Sequence, residues 1–355
     1  MTKPVSHRGA LANPPNRYDR LAGEACDDGW DLGEDETAAP RTEVAVDSAR
    51  TIITRNKSPD VPFGRSINPY RGCEHGCIYC YARPTHAYLG LSPGLDFETR
   101  LLAKPDAARL LERELSHPRY RPAVIAIGTN TDPYQPVERS RRIMRQCLEV
   151  LAAFNHPVMI TTKGALVTRD LDILGPMAAR GLAAVNVSVT TLDRDLCRLL
   201  EPRAALPRVR LDAIRQLAGA GIPVTVMAAP MIPALTDHEL EAILAAAREA
   251  GASAAVTLLL RLPGEVADLF RQWLETHVPG RAAHVLGLLG QARGGQVNDS
   301  RWRSRFTGEG PLVALLSRRF HLACQRLGLR AARGVELDCR QFRPPPRAGD
   351  QLALF

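Results

Sequence analysis

Between Ser66 and about Thr276 the chain alternates short apolar runs with helical patterns, and this limits the fold more than any other feature. Val124–Ile127, Val158–Thr161, Ala184–Val189, Val224–Ala228 and Ala254–Leu260 read as strands. Helical spacing follows at Val137–Phe154, Leu171–Arg180, Asp193–Leu200, Arg208–Ala220, His238–Ala250 and Glu265–Thr276. With Ser66–Tyr70 as the first strand, the pattern makes six β/α units. Strands joined through helices in this way run parallel, with the helices covering the sheet. Their apolar character on both faces agrees with that burial. In the fourth strand Asn186 and Ser188 alternate with Val185, Val187 and Val189, so both polar residues turn to one side, inward. Buried polar groups need partners, which a bound cofactor or an internal hydrogen-bond network can supply.

The loop after the first strand carries the densest chemistry. In Ser66–Arg83, SINPYRGCEHGCIYCYAR, Cys73, Cys77 and Cys80 are spaced Cys-x3-Cys-x2-Cys, with no fourth cysteine nearby. Thiolates at short, uneven spacing can wrap one face of a compact iron–sulfur cluster, because soft sulfur suits iron. Three thiolates on a four-iron cluster leave one iron open to a small molecule. A structural zinc site closes its shell with a fourth ligand, which here would be His75 or His86. Tyr79 offers a ring that could shield a cluster. Gly72 and Gly76 let the loop turn tightly and bring backbone N–H groups near the sulfurs.

In parallel β/α folds, ligands bind beyond the carboxyl ends of the strands. The second strand delivers a polar loop with Thr131 and Asp132, which suits a binding loop or a helix cap with Pro136 in the first turn. The third ends in Thr161-Thr162-Lys163-Gly164; Lys163 is well placed to meet a carboxylate, or else is solvated. After the fourth comes Glu201-Pro202-Arg203, after the fifth Ala229-Pro230, and the sixth ends at Arg261. Arg203 and Arg261 could clamp a carboxylate or phosphate; surface ion pairs are the plain alternative.

Cys-x3-Cys-x-aromatic-Cys resembles the signature of the radical S-adenosylmethionine enzymes. The resemblance implies an open, partial (β/α)6 barrel and a [4Fe-4S] cluster on Cys73, Cys77 and Cys80. It also implies S-adenosyl-L-methionine held at the open iron and cleaved, on reduction, to a 5′-deoxyadenosyl radical that abstracts a hydrogen from substrate. An electron donor such as flavodoxin or ferredoxin is implied with it. From Arg65 to Asp237 the chain is similar to the branch that contains spore photoproduct lyase. The cysteine motif, Thr131-Asp132, Thr161-Thr162-Lys163, Asn186-x-Ser188, Glu201-Pro202 and Ala229-Pro230 carry this likeness. It implies that Lys163 and Ser188 contact S-adenosylmethionine, with Asn186, Thr131, Asp132 and Tyr79 beside it. The family's usual Gly-Gly-Glu after the second strand is absent, so Glu138 does not inherit its role. Asn130 stands where spore photoproduct lyase has a cysteine that returns a hydrogen atom. Cys147 and Cys197 lie within helical patterns and read as core thiols. The implied activity is lyase-like repair of DNA. A tRNA or peptide modifier is one alternative; a non-catalytic iron–sulfur or zinc-binding nucleic-acid module is another.

Residues 1–50, with the acidic Asp27–Glu36 stretch, read as an extended or disordered arm, the alternative being that Arg8–Arg17 docks on the body. Residues 51–278 read as the core barrel, 279–343 as a mostly helical, basic extension, and 344–355 as a flexible tail. Net charge is +8, but the excess is nearly all arginine, so it says little by itself. In the extension, Arg301, Trp302, Arg303 and Arg305 interleave an aromatic with arginines, a candidate DNA surface, with a solvated helical cap as the alternative. Pro344, Pro345 and Pro346 form a stiff spacer. The end, Gln351-Leu352-Ala353-Leu354-Phe355, resembles the peptide by which bacterial replication and repair proteins bind the DNA sliding clamp; Gln351, Leu352, Leu354 and Phe355 would be its anchors, and docking on its own barrel is the alternative. No apolar run is long enough to cross a bilayer, and the N-terminus lacks the core of a signal peptide. Eight cysteines without an export signal point to the reducing cytoplasm.

Overall fold

Valine, isoleucine and alanine dominate the predicted strands, and these side chains pack well on a sheet covered from both sides. In the computed structural model, which describes residues 8–19, 41–302, 304–331 and 336–346, they form the centre of an eight-stranded sheet. Six parallel strands run in sequence order: Arg65–Ile67, Ile125–Ile127, Val158–Thr162, Ala183–Ser188, Val224–Met231 and Ala254–Leu259. Thr54–Arg55 pairs antiparallel at one edge and Arg330–Ala331 parallel at the other, so the barrel stays open. Ile125, Val158, Val185, Val224 and Ala255 share a core with the covering helices Ala107–Leu115, Ile143–Ala153, Leu171–Ala179, Pro207–Gly219 and Leu240–Glu249. Helices Val266–His277 and Pro279–Gln291 build a second core around Phe270 and Trp273 that also takes in Cys77, Ile78 and Tyr79. The long helix Pro311–Leu327 then packs beside Leu240–Glu249. Among the described residues no helix is long and apolar enough to cross a membrane.

Two expected elements differ. The first strand ends at Ile67 rather than Tyr70, because Pro69 has no N–H to give a ladder. Tyr70–Arg71 pairs instead with Arg100–Ala103, which also takes Glu43–Val46, in a separate three-stranded sheet. The helix expected over Val137–Phe154 breaks at Arg142, which has a positive φ of 54°, into Glu138–Arg141 and Ile143–Ala153. The Glu138 carboxylate fills the break. It accepts hydrogen bonds from Met144 N (3.0 Å) and Tyr70 Oη (2.5 Å) and pairs with Arg169 (2.8 Å). Fully buried, Glu138 is a structural hub that secures a helix start.

Both ends of the described chain lie on the barrel. Arg8–Leu11 is buried, so the docked alternative holds for this part of the N-terminal arm. At the opposite end Phe342 packs against Tyr120, Phe154 and His156, and Arg343 N donates to Phe154 O (3.0 Å). Residues 1–7 and 20–40 of the arm, Arg303 and the Gln351–Phe355 motif lie outside the described residues.

Candidate active site

The loop after the first strand is held from below by a buried ion pair. Arg83 and Glu98 are both inaccessible to solvent and lie 2.5 Å apart. Arg83 also donates to Cys77 O (3.0 Å), Gly76 O (3.1 Å), Gly94 O (2.9 Å) and Pro93 O (3.2 Å). One guanidinium therefore gathers the carbonyls of the cysteine loop in a fixed fork. The Glu98 carboxylate accepts from Gly9 N and Ala10 N, both at 2.9 Å, and so draws the N-terminal segment against the same loop. A Cβ on Gly9 would lie 1.9 Å from Gly76 O, an approach only glycine allows. Gly72 and Gly76 have positive φ of 76° and 65°, the tight turns expected there.

Cys73 and Cys77 are buried and Cys80 is partly so. All three are free thiols within electrostatic reach of one another. Burial pushes the Cys77 thiol well up, and burial together with Cys73 pushes Cys80 up to about 11, while Lys163 pulls on both in the opposite direction. Ligation would therefore displace protons, the usual coupling for thiolate sites. Among the described residues no three Cys, His, Asp or Glu side chains converge tightly enough to hold a single metal ion. A lone zinc needs its sulfurs about 2.3 Å from one centre. His75 points Nδ1 at Asp132 (3.3 Å), and His86 points Nε2 at Arg100 O (3.0 Å). Three soft thiols on one loop, with His75 engaged by both Asp132 and Cys73, fit a face of a polynuclear cluster better than a closed zinc shell.

The polar strand ends close around this loop. Ser188 and Asn186 are buried, opposite the valines that face the helices, as the alternation required. Asn186 Nδ2 donates to Thr161 Oγ1 (3.1 Å). Lys163 Nζ sits 5.9 Å from the centre of the Tyr79 ring and 3.8 Å from Glu201 Oε1, beyond hydrogen-bond reach. The fully buried Glu201 accepts from Thr190 Oγ1 (2.7 Å), from the Tyr79 hydroxyl and from Arg210. Burial alone would raise the Glu201 carboxyl; Arg210 and then Lys163 outweigh it and hold the group at about 2. This carboxylate stays ionised at neutral pH, with Lys163 as the one cation of the group still partly exposed, at 16%.

Other expected site residues act as braces. Asp132 accepts from Lys163 N (2.7 Å), Thr162 Oγ1 (2.7 Å) and Tyr134 N (2.9 Å), besides facing His75. Thr131 Oγ1 donates to Tyr70 O (2.9 Å). The Tyr79 hydroxyl is turned toward Glu201 and Thr190. These residues link the second, third and fourth strand ends to the cysteine loop. Arg203 is no clamp; it pairs with Glu74 at 2.9 Å, within the cysteine motif. Cys147 and Cys197 are buried, as core thiols should be. The arginine-rich stretch divides: Arg301 pairs with Asp299 (3.1 Å), Trp302 is 63% exposed, and Arg305 turns inward to Asp60 (2.6 Å). Sequence reading had no role for Arg83, Glu98 or Arg210. The one signal was that Arg83 closes the cysteine motif.

A cavity of about 290 Å³ lies between the sixth strand, Phe306 and the last helix. Its walls, among them Leu259, Val313, Leu316 and Phe320, are mostly apolar, and none of the cysteines lines it.

The model for the Radical SAM superfamily matches residues 67–247. Uncharacterised proteins of Mycobacterium tuberculosis and Mycobacterium bovis are each 40% identical to this chain over 224 residues, which is 62% of this chain and 66% of each relative, just under two thirds of their length. An uncharacterised protein of Methanocaldococcus jannaschii is 25% identical over 199 residues, covering 56% of this chain and 71% of the relative. Among solved structures, a spore photoproduct lyase variant with bound AdoMet and dinucleoside spore photoproduct superposes with a TM-score of 0.58 at 16% identity, covering 81% of this chain and 80% of that one. A second variant of the same enzyme, with a single tyrosine replaced, gives 0.59 at 15% identity over 81% and 80%. At such identity the likeness is one of fold.

Proposed function

This chain belongs to the radical SAM superfamily, and we propose that it is a cytoplasmic enzyme that binds a [4Fe-4S] cluster and S-adenosylmethionine and performs a lyase-like repair reaction on DNA. The observation that carries this reading is the set of three free thiols on one braced loop, with Lys163 beside them. When bound and reduced, by a donor such as flavodoxin or ferredoxin, the cluster supplies the electron that cleaves S-adenosylmethionine into a hydrogen-abstracting radical. Cys73, Cys77 and Cys80 hold the cluster. Lys163 attracts the cosubstrate's carboxylate, and Ser188 and Asn186 offer hydrogen bonds from the barrel interior. Thr131, Asp132 and Tyr79 keep these strand ends in register with the cysteine loop. Burial of the site excludes water from a reactive species.

Lys163→Ala should weaken S-adenosylmethionine binding while iron content stays intact. A sheltered ammonium–carboxylate contact is worth about 1.5–3 kcal/mol, or roughly tenfold or more in affinity. Calorimetry on anaerobically reconstituted protein that gave the wild-type affinity would remove Lys163 from the site.

The spore photoproduct lyase fold and the arginines of the extension favour DNA as substrate. The reaction differs from that enzyme's in its hydrogen-atom return, because Asn130 offers no thiol and its backbone N–H is taken by Asn68 Oδ1 (3.1 Å). We assign the Gln351–Phe355 end to the bacterial sliding clamp, tethered by the Pro344–Pro346 spacer beyond Arg343, which is fixed to the barrel. A peptide of residues 345–355 should bind the clamp at about micromolar affinity, some 8 kcal/mol, and Leu354→Ala with Phe355→Ala should abolish it. Absence of binding by both peptide and full chain defeats the assignment.

A further inference from the structure

Three arginines from separate stretches meet at the carboxyl end of the sixth strand. Arg261 leaves the strand, Arg293 follows helix Pro279–Gln291, and Arg305 comes from the loop beyond. Arg293 ties the other two together, donating to Leu260 O (2.7 Å) and to Arg305 O (3.2 Å). The guanidinium carbons of Arg261 and Arg305 both lie over the Phe306 ring, 4.6 Å and 5.0 Å from its centre. Such stacking fixes an arginine's plane while leaving its edge free to donate.

Opposite charge is scarce there. Asp60 pairs with Arg305, but among the described residues neither Arg261 nor Arg293 makes an ion pair, and Arg261 makes no hydrogen bond. The Nε atoms of Arg261 and Arg293 are buried without a hydrogen-bond partner. Burial first, then Arg305 and Arg293, lower the Arg261 pKa, and the smaller opposing pull of Tyr81 and Asp60 does not offset them. A half-buried guanidinium left unpaired is costly, and an incoming anion would relieve it. Arg261 is also within electrostatic reach of the Tyr81 hydroxyl, and Tyr81 directly follows Cys80. Tyr81 in turn donates to Thr129 O at the end of the second strand, so it spans the mouth.

We infer that Arg261, shelved on Phe306 and backed by Arg293 and Arg305, is a phosphate-binding subsite at the barrel mouth that takes a phosphodiester of the substrate strand. This rests on the nucleic-acid reading above. The guanidinium fork matches two phosphate oxygens, and the position beside Tyr81 sets one nucleotide near the cysteine loop. Arg261 acts here as a positioning residue.

The test uses the full chain, reconstituted anaerobically, with a fluorescein-labelled single-stranded oligothymidylate as probe. Arg261→Gln should raise its Kd about tenfold or more and reduce the log–log salt slope by about 0.7, the share of one phosphate on a single strand. Iron content and S-adenosylmethionine affinity should stay at wild-type levels, and Arg261→Lys should recover part of the binding. Phe306→Leu, which keeps the apolar packing but removes the shelf, should weaken the probe without touching cosubstrate affinity. An unchanged Kd and slope in Arg261→Gln, against a wild type that binds, overturns the subsite and leaves the nucleic-acid reading standing. Loss of S-adenosylmethionine binding in place of probe binding also overturns it, because the anion is then the cosubstrate's carboxylate. A wild type that does not bind the probe removes both.

Discussion

Cys77→Ala should leave the reconstituted protein without its iron–sulfur absorption and without any cleavage of S-adenosylmethionine, and Cys73→Ala and Cys80→Ala should do the same. The three thiols belong to one loop and among the described residues no fourth thiol joins them, so losing one leaves two anchors for a cluster that needs three. Cys197→Ala and Cys324→Ala should retain the cluster. Cys324 is on the buried face of the last helix, and Cys197 is engaged with Glu201 (3.7 Å) and Arg210 (3.6 Å). The first readout is the visible absorption and iron content after anaerobic reconstitution; the second is release of 5′-deoxyadenosine under reductant. A full four-iron spectrum in Cys77→Ala would sink the assignment of the cluster to this loop.

Arg83→Ala should cost about 3–5 kcal/mol of stability, the usual result of breaking a buried ion pair from one side. It strands the Glu98 carboxylate where no water reaches and frees carbonyls of Gly76, Cys77, Pro93 and Gly94. Because two of those carbonyls belong to the cysteine loop, iron incorporation should fall along with stability. Arg83→Met combined with Glu98→Gln should recover part of the loss, since the neutral amide is cheaper to bury and still accepts from Gly9 N or Ala10 N. Urea denaturation of the apoprotein measures the first effect and iron content the second. A loss under about 1 kcal/mol with normal iron content would mean that the loop holds its shape without the pair, as exposed ion pairs usually permit.

Both predictions depend on residues that differ in how far the sequence exposed them. The cysteines, the β/α order and the inward turn of Asn186 and Ser188 were legible because each rests on short-range spacing. Period two in a strand, period 3.6 in a helix and a three-thiol loop are properties of neighbouring residues. Local chemistry set the departure at Pro69, whereas the break at Arg142 goes with the long-range contacts of Glu138 to Tyr70 and Arg169.

What the sequence alone determined is therefore the scaffold and its reactive loop: six parallel strands in order and three thiols at the carboxyl end of the first. Tertiary structure alone decided which charge meets which. Arg203, Arg210, Arg261 and Arg305 are the same residue type in similarly polar stretches, yet one pairs with Glu74, one with Glu201, one with Asp60, and Arg261 with no carboxylate among the described residues. Likewise Gly9 and Glu98, far apart along the chain, meet only because the loop leaves a gap that no Cβ can enter. An ion pair forms wherever folding brings opposite charges within a few ångströms, and that distance is set by how whole elements pack, not by the residues adjacent to either charge.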